Sequence, residues 1–407
     1  MAKKKFSVRL TVFISIIAVI IGFLGGLIVP LYAAQDKFTQ NITTDELVVH
    51  SEVFYSKSGD ENAAFTDINA DDADLAVHFL ELGNKYTGDC TLIQIGDVEI
   101  LIDCGSRSDS VKTVSDYINN YVKPDENGDR VIEYVIITHA HQDHYAGFAT
   151  SEKVDSIFDL YTCENIITFA GNNQNPNGTT YKNYLRELDA EIANGAKHFT
   201  AADCYNGEND AQRTYDLGAG YQLEILYNKF YFEKATTEND YSVCCMIYGN
   251  GNYLLFTGDL EEKGEKSLAD KFVVDHPSID FDAFRVDLYK AGHHGSKTSS
   301  TTEMLSVFKP KLCCVCCCAG SPEYTKTKDN QFPTQTFINR ISEYTDKVFL
   351  TTLCVNYDEN LFESFNGDII VLVKGSDINV KCSANDKPLK ETQWFKDNRT
   401  CPNKWLT

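Results

Sequence analysis

The stretch that decides the fold is YVIITHAHQDH, Tyr134 to His144. Its first half is an apolar run rich in β-branched residues, which is typical of a buried strand. Its second half places three histidines and an aspartate within six residues, directly where that strand ends. Imidazole nitrogens and carboxylate oxygens are ligands that zinc and similar divalent ions take in proteins. This stretch therefore predicts a strand that delivers a metal site to one edge of a sheet.

Three further strand-like runs end in residues that bind metals or support metal ligands. The run EILIDCG ends near Asp103, LLFTGDLEE contains Asp259, and RVDLYKAG leads into His293 and His294. Asp259 is placed to bridge two ions. Asp103 has two interpretations: a carboxylate that orients the histidine loop through hydrogen bonds, or a residue that caps a turn. Four strand ends thus deliver metal-type residues.

The rest of the chain divides by composition. Short β-type runs alternate with helical stretches from Leu75 onward, which predicts a layered α/β body. Before them, Leu10 to Val29 is a run of twenty residues without a charge, about the length that crosses a bilayer core. The predicted organisation is a basic segment 1–9, a membrane anchor 10–32, a polar linker 33–73, the main domain 74–382 and a polar tail 383–407.

Charges around the apolar run predict its orientation. Basic residues precede the run, and Gln35 and Asp36 follow it, so the start is expected inside the cell and the main domain outside. The sequence therefore predicts a single-pass protein of the cell membrane with its main domain extracellular. A cleaved signal peptide is the alternative, and it would make the protein secreted.

Charge and cysteine content exclude some functions. The net charge is −22, and such an acidic surface repels polyanions unless it keeps a local basic groove. This argues against a protein that coats DNA. Of the 14 cysteines, five crowd the run KLCCVCCCAG. We interpret them as small buried hydrophobic residues rather than a metal cluster, because alternate side chains of a strand point to opposite faces.

These motifs resemble the metallo-β-lactamase fold superfamily. Within it, they are most similar to the hydrolase domain of bacterial competence (DNA-uptake) channel proteins and their secreted relatives. The resemblance spans about residues 75–380 and is carried by Gly88-Asp89, LIDCG (101–105), THAHQDH (138–144), FTGDLE (256–261) and AGHHGSKTSS (291–300). It implies a four-layer αβ/βα sandwich with the metal site at one edge.

The resemblance also implies ligands and roles. It implies two divalent ions, with zinc expected and manganese as the alternative. The implied metal ligands are His139 and His141 on one ion, Asp143 and His144 on the other, Asp259 between them, and His294 completing the second site. The candidate catalytic residues are Asp143 and His293. The candidates for supporting the ligands or contacting substrate are Asp103, Ser296 and Lys297.

Two departures from the family pattern concern the site. Many relatives place another metal-binding histidine between the first motif and the bridging aspartate, and His198 is the only histidine in that interval. It follows a helical stretch, while Gly171-Asn172 stands at the expected place, so we expect His198 to lie outside the site. One ion is then expected to bind more weakly. Phe332-Pro333 also stands where relatives often carry His-Pro.

The expected reaction is hydrolysis by a metal-activated water. Two neighbouring ions suit displacement at phosphorus, which predicts a phosphodiesterase or nuclease-type enzyme, with DNA as one candidate substrate and no nucleotide cofactor. Positive charge near the second histidine pair is expected from Lys290, Lys297, Lys309 and Lys311. One alternative is an enzyme like the phosphorylcholine esterases, acting on wall or lipid phosphodiesters. Another is a non-catalytic binding module that keeps metal for structure.

Overall fold

The computed structural model describes residues 50–56, 72–149, 154–175 and 177–406. The segments predicted as a basic start (1–9) and a membrane anchor (10–32) lie outside these residues. Within the described ranges, no helix combines the length and the apolar character that crossing a membrane requires.

Seventeen strands are described, and they form two sheets. They are β1 (His50–Ser56), β2 (Leu75–Phe79), β3 (Cys90–Ile95), β4 (Val98–Cys104), β5 (Val131–Ile137), β6 (Thr162–Thr168), β7 (Lys197–Thr200), β8 (Thr214–Gly218), β9 (Tyr221–Ile225), β10 (Cys245–Gly249), β11 (Asn252–Phe256), β12 (Leu288–Lys290), β13 (Leu312–Ala319), β14 (Val348–Asn356), β15 (Leu361–Ser364), β16 (Ile369–Lys374) and β17 (Asp377–Cys382). The first sheet has the order β1-β17-β16-β2-β3-β4-β5-β6-β7, and the second has the order β15-β14-β13-β12-β11-β10-β9-β8.

The described helices connect these strands. They are α1 (Ser110–Ile118), α2 (Gln142–Tyr145), α3 (Ile157–Leu160), α4 (Thr179–Asn194), α5 (Ala201–Asn206), α6 (Glu262–Asp275), α7 (Thr302–Phe308), α8 (Gln335–Ile341) and α9 (Gln393–Asn398).

The cysteine-rich strand β13 shows how the layers are arranged. Cys314 and Cys316 belong to the core shared by the two sheets, together with residues of α1 and α4. Cys313, Val315 and Cys317 belong to a second core that includes residues of α6, α7 and α8. Alternation along the strand thus buries one face against the other sheet and the opposite face against helices. The cysteines of the run are all buried, and the fold is a mixed α/β sandwich of two sheets with helices outside.

Parallel strands bring the chemistry to one edge. Strands β4, β5 and β6 run parallel in the first sheet, and β11, β12 and β13 run parallel in the second. The carboxyl ends of parallel strands meet at the same edge of a sheet. Asp103 is the second-last residue of β4, and the segments after β5, β11 and β12 carry His139 to His144, Asp259 and His293-His294.

Two segments differ from the sequence-based organisation. Strand β1 lies inside the predicted linker (33–73) and pairs antiparallel with β17. The predicted polar tail (383–407) packs against the second core through Leu389, Phe395 and Trp405, all buried. The Trp405 indole also donates a hydrogen bond to the carbonyl of Thr345 at 2.9 Å. A few apolar anchors in a polar stretch are therefore enough to dock residues 389–405, where composition alone suggested a tail.

Candidate metal centre

The histidine loop is fixed by the way the chain leaves β5. His139 and His144 are fully buried, whereas His141 and Asp143 are half-buried. The short helix α2 starts after His141, and the amide of His144 donates to the carbonyl of His141 at 3.0 Å. Gly105 packs directly against this loop, because a Cβ at its position would lie 1.9 Å from the Asp143 carbonyl oxygen. The chain after β4 therefore packs directly under the ligand loop.

Asp103 orients this loop. Its Oδ1 accepts a hydrogen bond from the Thr138 amide at 2.7 Å, and its Oδ2 accepts one from the Thr138 hydroxyl at 2.7 Å. The Nδ1 atom of His144 also lies 2.7 Å from Oδ2. Asp103 has a positive φ of 58°, at a point where the β3–β4 register shifts. The carboxylate thus occupies the Nδ1 side of His144 and turns its Nε2 towards the centre.

The second histidine pair is presented by a tight 3-10 turn, Gly292–Gly295. His293 and His294 themselves adopt a left-handed backbone conformation, with φ of 47° and 53°. The Nδ1 of His294 lies 2.8 Å from the carbonyl oxygen of Cys316, so its Nε2 also points inward. Strained backbone of this kind is typical of functional sites. Gly292 and Gly295 flank these strained positions.

Asp259 is the point on which these side chains converge. Its Oδ2 lies 3.2 Å from His144 Nε2, 3.3 Å from His294 Nε2, 3.9 Å from His293 Nε2 and 4.0 Å from His139 Nε2. Among the described residues, His144 Nε2, His294 Nε2 and Asp259 Oδ1 are buried without a hydrogen-bond partner. Buried polar atoms are rarely left so, and these are metal-binding donors. The residues therefore fit a divalent ion.

The assignment of the nearest ligands follows from which ring atoms are free. One donor atom each from Asp89, His144, Asp259 and His294 lies within 4.8 Å of the others. However, Asp89 approaches the Nδ1 atoms of His294 and His144, at 3.2 Å and 3.7 Å, and both Nδ1 atoms already have partners. Asp143 Oδ2 instead faces His294 Nε2 at 3.5 Å. We therefore assign Asp143, His144, Asp259 and His294 as one donor set.

Positive charge stabilises the buried carboxylates of the centre. Burial raises the pKa of Asp259, but His144 and His294 outweigh it and hold the pKa well below its usual value. Burial likewise lowers the pKa of His144, but the carboxylates of Asp259 and Asp103 outweigh it and raise the pKa well above the usual value. The pKa of His294 is raised in the same way. Protons on imidazoles thus take the place that a cation would hold among these carboxylates.

Asp89 and Lys290 form a support that sequence reasoning did not assign. Lys290 is only 3% exposed and pairs with the carboxylate of Asp89, while its Nζ lies 3.9 Å from Asp259 Oδ1. From the sequence, Gly88-Asp89 contributes only to the family resemblance, and Lys290 is expected to supply positive charge near the second histidine pair. The signal that indicates the pair is a lysine inside the strand LYK, whose three residues are all buried.

His139 and His141 form a second group of donors beside Asp259. His139 Nε2 and His141 Nδ1 lie 3.0 Å apart. Burial lowers the pKa of His139 well below its usual value, with His144 adding to the effect, which suits a neutral imidazole ligand. His198 does not join this group. Its Nε2 lies 2.9 Å from the hydroxyl of Thr168 on the neighbouring strand.

Two aromatic side chains, Tyr324 and Phe332, lie beside the candidate metal ligands. The hydroxyl of Tyr324 donates to Asp143 Oδ2 at 2.8 Å, although the residue is 55% exposed. Its ring lies 5.6 Å from that of Phe332, and the Phe332 ring lies 5.7 Å from the rings of both His293 and His294. The aromatic ring at the Phe332 position therefore contacts the histidine pair, and Tyr324, which no motif indicated, reaches a candidate ligand.

The loop after the histidine pair places the predicted substrate contacts. Ser296 is buried, and its hydroxyl lies 3.0 Å from that of Thr298. The Thr298 hydroxyl in turn lies 3.0 Å from His293 Nδ1. Lys297 is exposed and donates to Asn330 at 3.2 Å. The hydroxyl groups thus hold His293 at the rim rather than facing open solvent.

Of the four lysines expected to supply positive charge, three are buried or half-buried and bound to other groups of the protein. Lys290 pairs with Asp89, and Lys311 pairs with buried Asp287 at 3.0 Å. Lys309 donates to the backbone carbonyl of Phe281 at 2.6 Å. Lys297 is the member of this group that is exposed beside the histidine pair. The expected basic patch is therefore much smaller than the sequence suggested.

The family follows from a sequence comparison. Residues 83–153, which include Asp89, Asp103 and the whole histidine loop, match the model of the metallo-beta-lactamase superfamily. The chain carries a metallo-β-lactamase superfamily domain. This match and the buried donor set together support a metal-dependent hydrolase. A search of curated proteins finds no match.

Solved structures match the chain only at low similarity. The metallo-β-lactamase fold protein YhfI from Bacillus subtilis is 12% identical, with 69% of this chain and 96% of that chain covered and a TM-score of 0.36. A probable metal-dependent hydrolase from Staphylococcus aureus is 16% identical over 46% of this chain and 73% of that chain, with a TM-score of 0.27. A diphosphatase from the PhnP family is 10% identical over 59% and 85%, with a TM-score of 0.32. Similarities this low support no conclusion about substrate.

Proposed function

We propose that this metallo-β-lactamase superfamily domain hydrolyses phosphodiester bonds with two bound divalent ions. The observation that carries the proposal is the convergence of two donor groups on Asp259. His139, with His141 beside it, approaches from one side, and His144 and His294, with Asp143 beside His294, approach from the other. Divalent ions held there would supply an activated hydroxide and neutralise charge at phosphorus. Mixed nitrogen and carboxylate donors accept zinc or manganese.

The two donor groups should differ in affinity. The group of Asp143, His144, Asp259 and His294 has its ring nitrogens fixed by Asp103 and by the Cys316 carbonyl. The group of His139 and His141 has no third histidine, because His198 bonds Thr168 instead. We propose that the second ion is held more weakly. Metal analysis before and after brief chelation should find about two ions and then one; a single tight ion throughout would contradict this.

The chain's own residues complete the site. His293 lies at the rim with its Nδ1 held by Thr298, so its Nε2 is free to contact a substrate oxygen. The Tyr324 hydroxyl donates a hydrogen bond to Asp143, and the same hydroxyl is placed to contact a substrate that approaches this carboxylate. Phe332 excludes water on the side of the histidine pair.

Charge favours a small substrate over DNA. Non-specific DNA binding needs several lysines or arginines at phosphates, whereas three of the four nearby lysines are tied to protein groups. The net charge of −22 acts in the same direction. We therefore favour a low-molecular-weight, wall or lipid phosphodiester, with a nuclease as the alternative from the competence-type resemblance.

The test measures hydrolysis of bis-p-nitrophenyl phosphate and of single-stranded DNA with added zinc or manganese. His141→Ala removes a donor, and His198→Ala is the matched control because that histidine lies outside the centre. We expect turnover of the small ester, lost in His141→Ala and kept in His198→Ala. Turnover of both substrates would favour a nuclease. Tightly bound metal without turnover of either would favour a non-catalytic binding module.

We also propose that Leu10–Val29 anchors the protein in the cell membrane with the hydrolase domain outside. The basic start and the uncharged run support this orientation. Protease treatment of intact cells should remove the domain from the cell surface. A domain that is protected until the cells are lysed would contradict the proposal, and a domain found in the medium would indicate cleavage.

A further inference from the structure

Two cysteines flank the carboxylates that support the metal centre. Cys90 directly follows Asp89, and Cys104 directly follows Asp103. The two cysteines face each other as register partners in the antiparallel pair of β3 and β4. Both are fully buried. Directly opposite residues of an antiparallel pair point to the same face of the sheet, so the two thiols are neighbours beneath the site.

The backbone geometry of such a pair suits a disulfide. Residues directly opposite in antiparallel strands have Cα atoms about 4.5–5.5 Å apart. Disulfides span Cα separations of about 4.4–6.8 Å. A cross-link between these strands therefore needs no large backbone movement.

Cys90 and Cys104 lie next to the β-bulge that determines the orientation of Asp103. The register between β3 and β4 shifts between Cys90 and Thr91, so that Asp103 is the extra residue, with its φ of 58°. A positive φ is unfavourable for an aspartate and persists only where the surroundings fix it. A covalent bond between Cys90 and Cys104 would link β3 to β4 on one side of this bulge.

We propose that Cys90 and Cys104 form a disulfide that fixes the Asp103 bulge under the metal centre. One thiolate attacks an external disulfide such as oxidised glutathione and releases one glutathione thiol. The second thiolate then attacks the mixed disulfide and releases the other. The two cysteines are oxidised and lose two protons, the two released glutathione thiolates take up these protons, and the external disulfide is thereby reduced to two thiols.

Packing determines when this bond forms. Burial raises the pKa of Cys90 well above its usual value, with Cys104 adding to the effect, so the reactive thiolate is scarce in the folded protein. A Cβ on Gly147 would lie 2.2 Å from Cys104 Sγ, which leaves no room for an external disulfide. The bond therefore forms during folding, while both thiols are accessible.

A second pair of cysteines provides a comparison. Cys318 lies on β13 and Cys354 lies on the neighbouring strand β14, and Cys354 is partly exposed. However, β13 and β14 are parallel, and Cys318 is the register partner of Thr352. Cys354 is therefore diagonal to Cys318, at a greater Cα separation than a directly opposite residue. We expect this pair to stay reduced under conditions that link Cys90 to Cys104.

The experiment refolds the full chain in a glutathione redox buffer, alkylates free thiols in denaturant and maps the peptides by mass spectrometry. We expect one linked pair of peptides containing Cys90 and Cys104, and a fall in free thiols from 14 to 12, that is 14 − 2. Alkylation of both cysteines in the refolded protein, or their linkage to other cysteines, would overturn the proposal. This readout uses the wild-type chain and needs no variant.

Two variants test the role of the bond. Cys90→Ala/Cys104→Ala should lose the linked peptides, whereas the matched control Cys318→Ala/Cys354→Ala should keep them. The oxidised wild type should melt at a higher temperature than the reduced protein, and the difference should vanish in Cys90→Ala/Cys104→Ala. A linked protein that melts at the same temperature after reduction would show that the bond does not fix the bulge.

Discussion

Replacing Asp103 with asparagine should disconnect His144 from the metal centre. Asp103 uses Oδ1 for the Thr138 amide, and Oδ2 for the Thr138 hydroxyl and His144 Nδ1, each at 2.7 Å. Asparagine keeps one oxygen, which the Thr138 amide requires. Its Nδ2 group then donates to His144 Nδ1 and places the ring proton on Nε2. A protonated Nε2 has no lone pair for a metal.

The expected loss is about 10–100-fold in metal affinity, the usual effect of losing the carboxylate behind a histidine ligand. This equals about 1.4–2.8 kcal/mol, since each 1.4 kcal/mol is tenfold. Isothermal titration calorimetry with zinc and with manganese measures the loss. Asp287→Asn is the matched control, because Asp287 is also 1% exposed but contacts Lys311 and the Tyr253 amide. Unchanged affinity in folded Asp103→Asn, or an equal loss in Asp287→Asn, would refute the reasoning.

Three further outcomes are expected. Lys290→Met should lower the free energy of unfolding in urea by about 3 kcal/mol, the lower end for breaking a buried ion pair, because Asp89 loses its ammonium partner but keeps His294 Nδ1 at 3.2 Å. Exposed Lys297→Met should change the free energy of unfolding by less than about 0.5 kcal/mol, and a small loss in both variants would contradict the buried pair. Glu265 is fully buried, and burial raises its pKa to about 7 from 4.5. The contribution of Glu265 to the free energy of unfolding is therefore full below about pH 4.5 and falls by about 3 kcal/mol as the pH rises towards 7. Urea unfolding across this range should show a weaker pH dependence in Glu265→Gln than in wild type, and equal slopes would exclude Glu265 as the cause. Tyr324→Phe removes one hydrogen bond to Asp143 and should lower kcat/KM by about fivefold, as expected for ~1 kcal/mol, with the melting temperature unchanged; a stability loss without a kinetic effect would show a purely structural role.

The candidate ligands were accessible from sequence because each lies where a strand ends. His139 and His144 follow the apolar run of β5, and Asp259 follows β11. Parallel pairing within each sheet then places these positions at one edge. The hydrophobic pattern predicts where each strand ends. It therefore also predicts which polar residues lie together at the edge of the sheet. Their detailed geometry, such as the left-handed backbone at His294, has no comparable sequence signal.

The supporting residues were not accessible in the same way. Asp89 precedes β3, and its partner Lys290 belongs to β12 in the other sheet, so only the packing of the sheets brings them together. Tyr324 reaches Asp143 from 181 positions along the chain, in a segment with no regular pattern. Trp405 shows the same limit, because a polar stretch with isolated apolar residues does not reveal that they are buried.

The buried charges explain why metal binding and folding should be coupled in this protein. Asp89, Asp103 and Asp259 are each at most 3% exposed, and among the described residues near them Lys290 is the one buried ammonium group. Buried carboxylates in excess of buried cations destabilise a fold unless other positive charge arrives. Without metal, protons on His144 and His294 supply it, because their pKa values are raised. A divalent ion held by these residues would supply that charge in place of the protons, so its binding would stabilise the native state by mass action. The excess of buried carboxylates therefore favours binding of a cation at this centre.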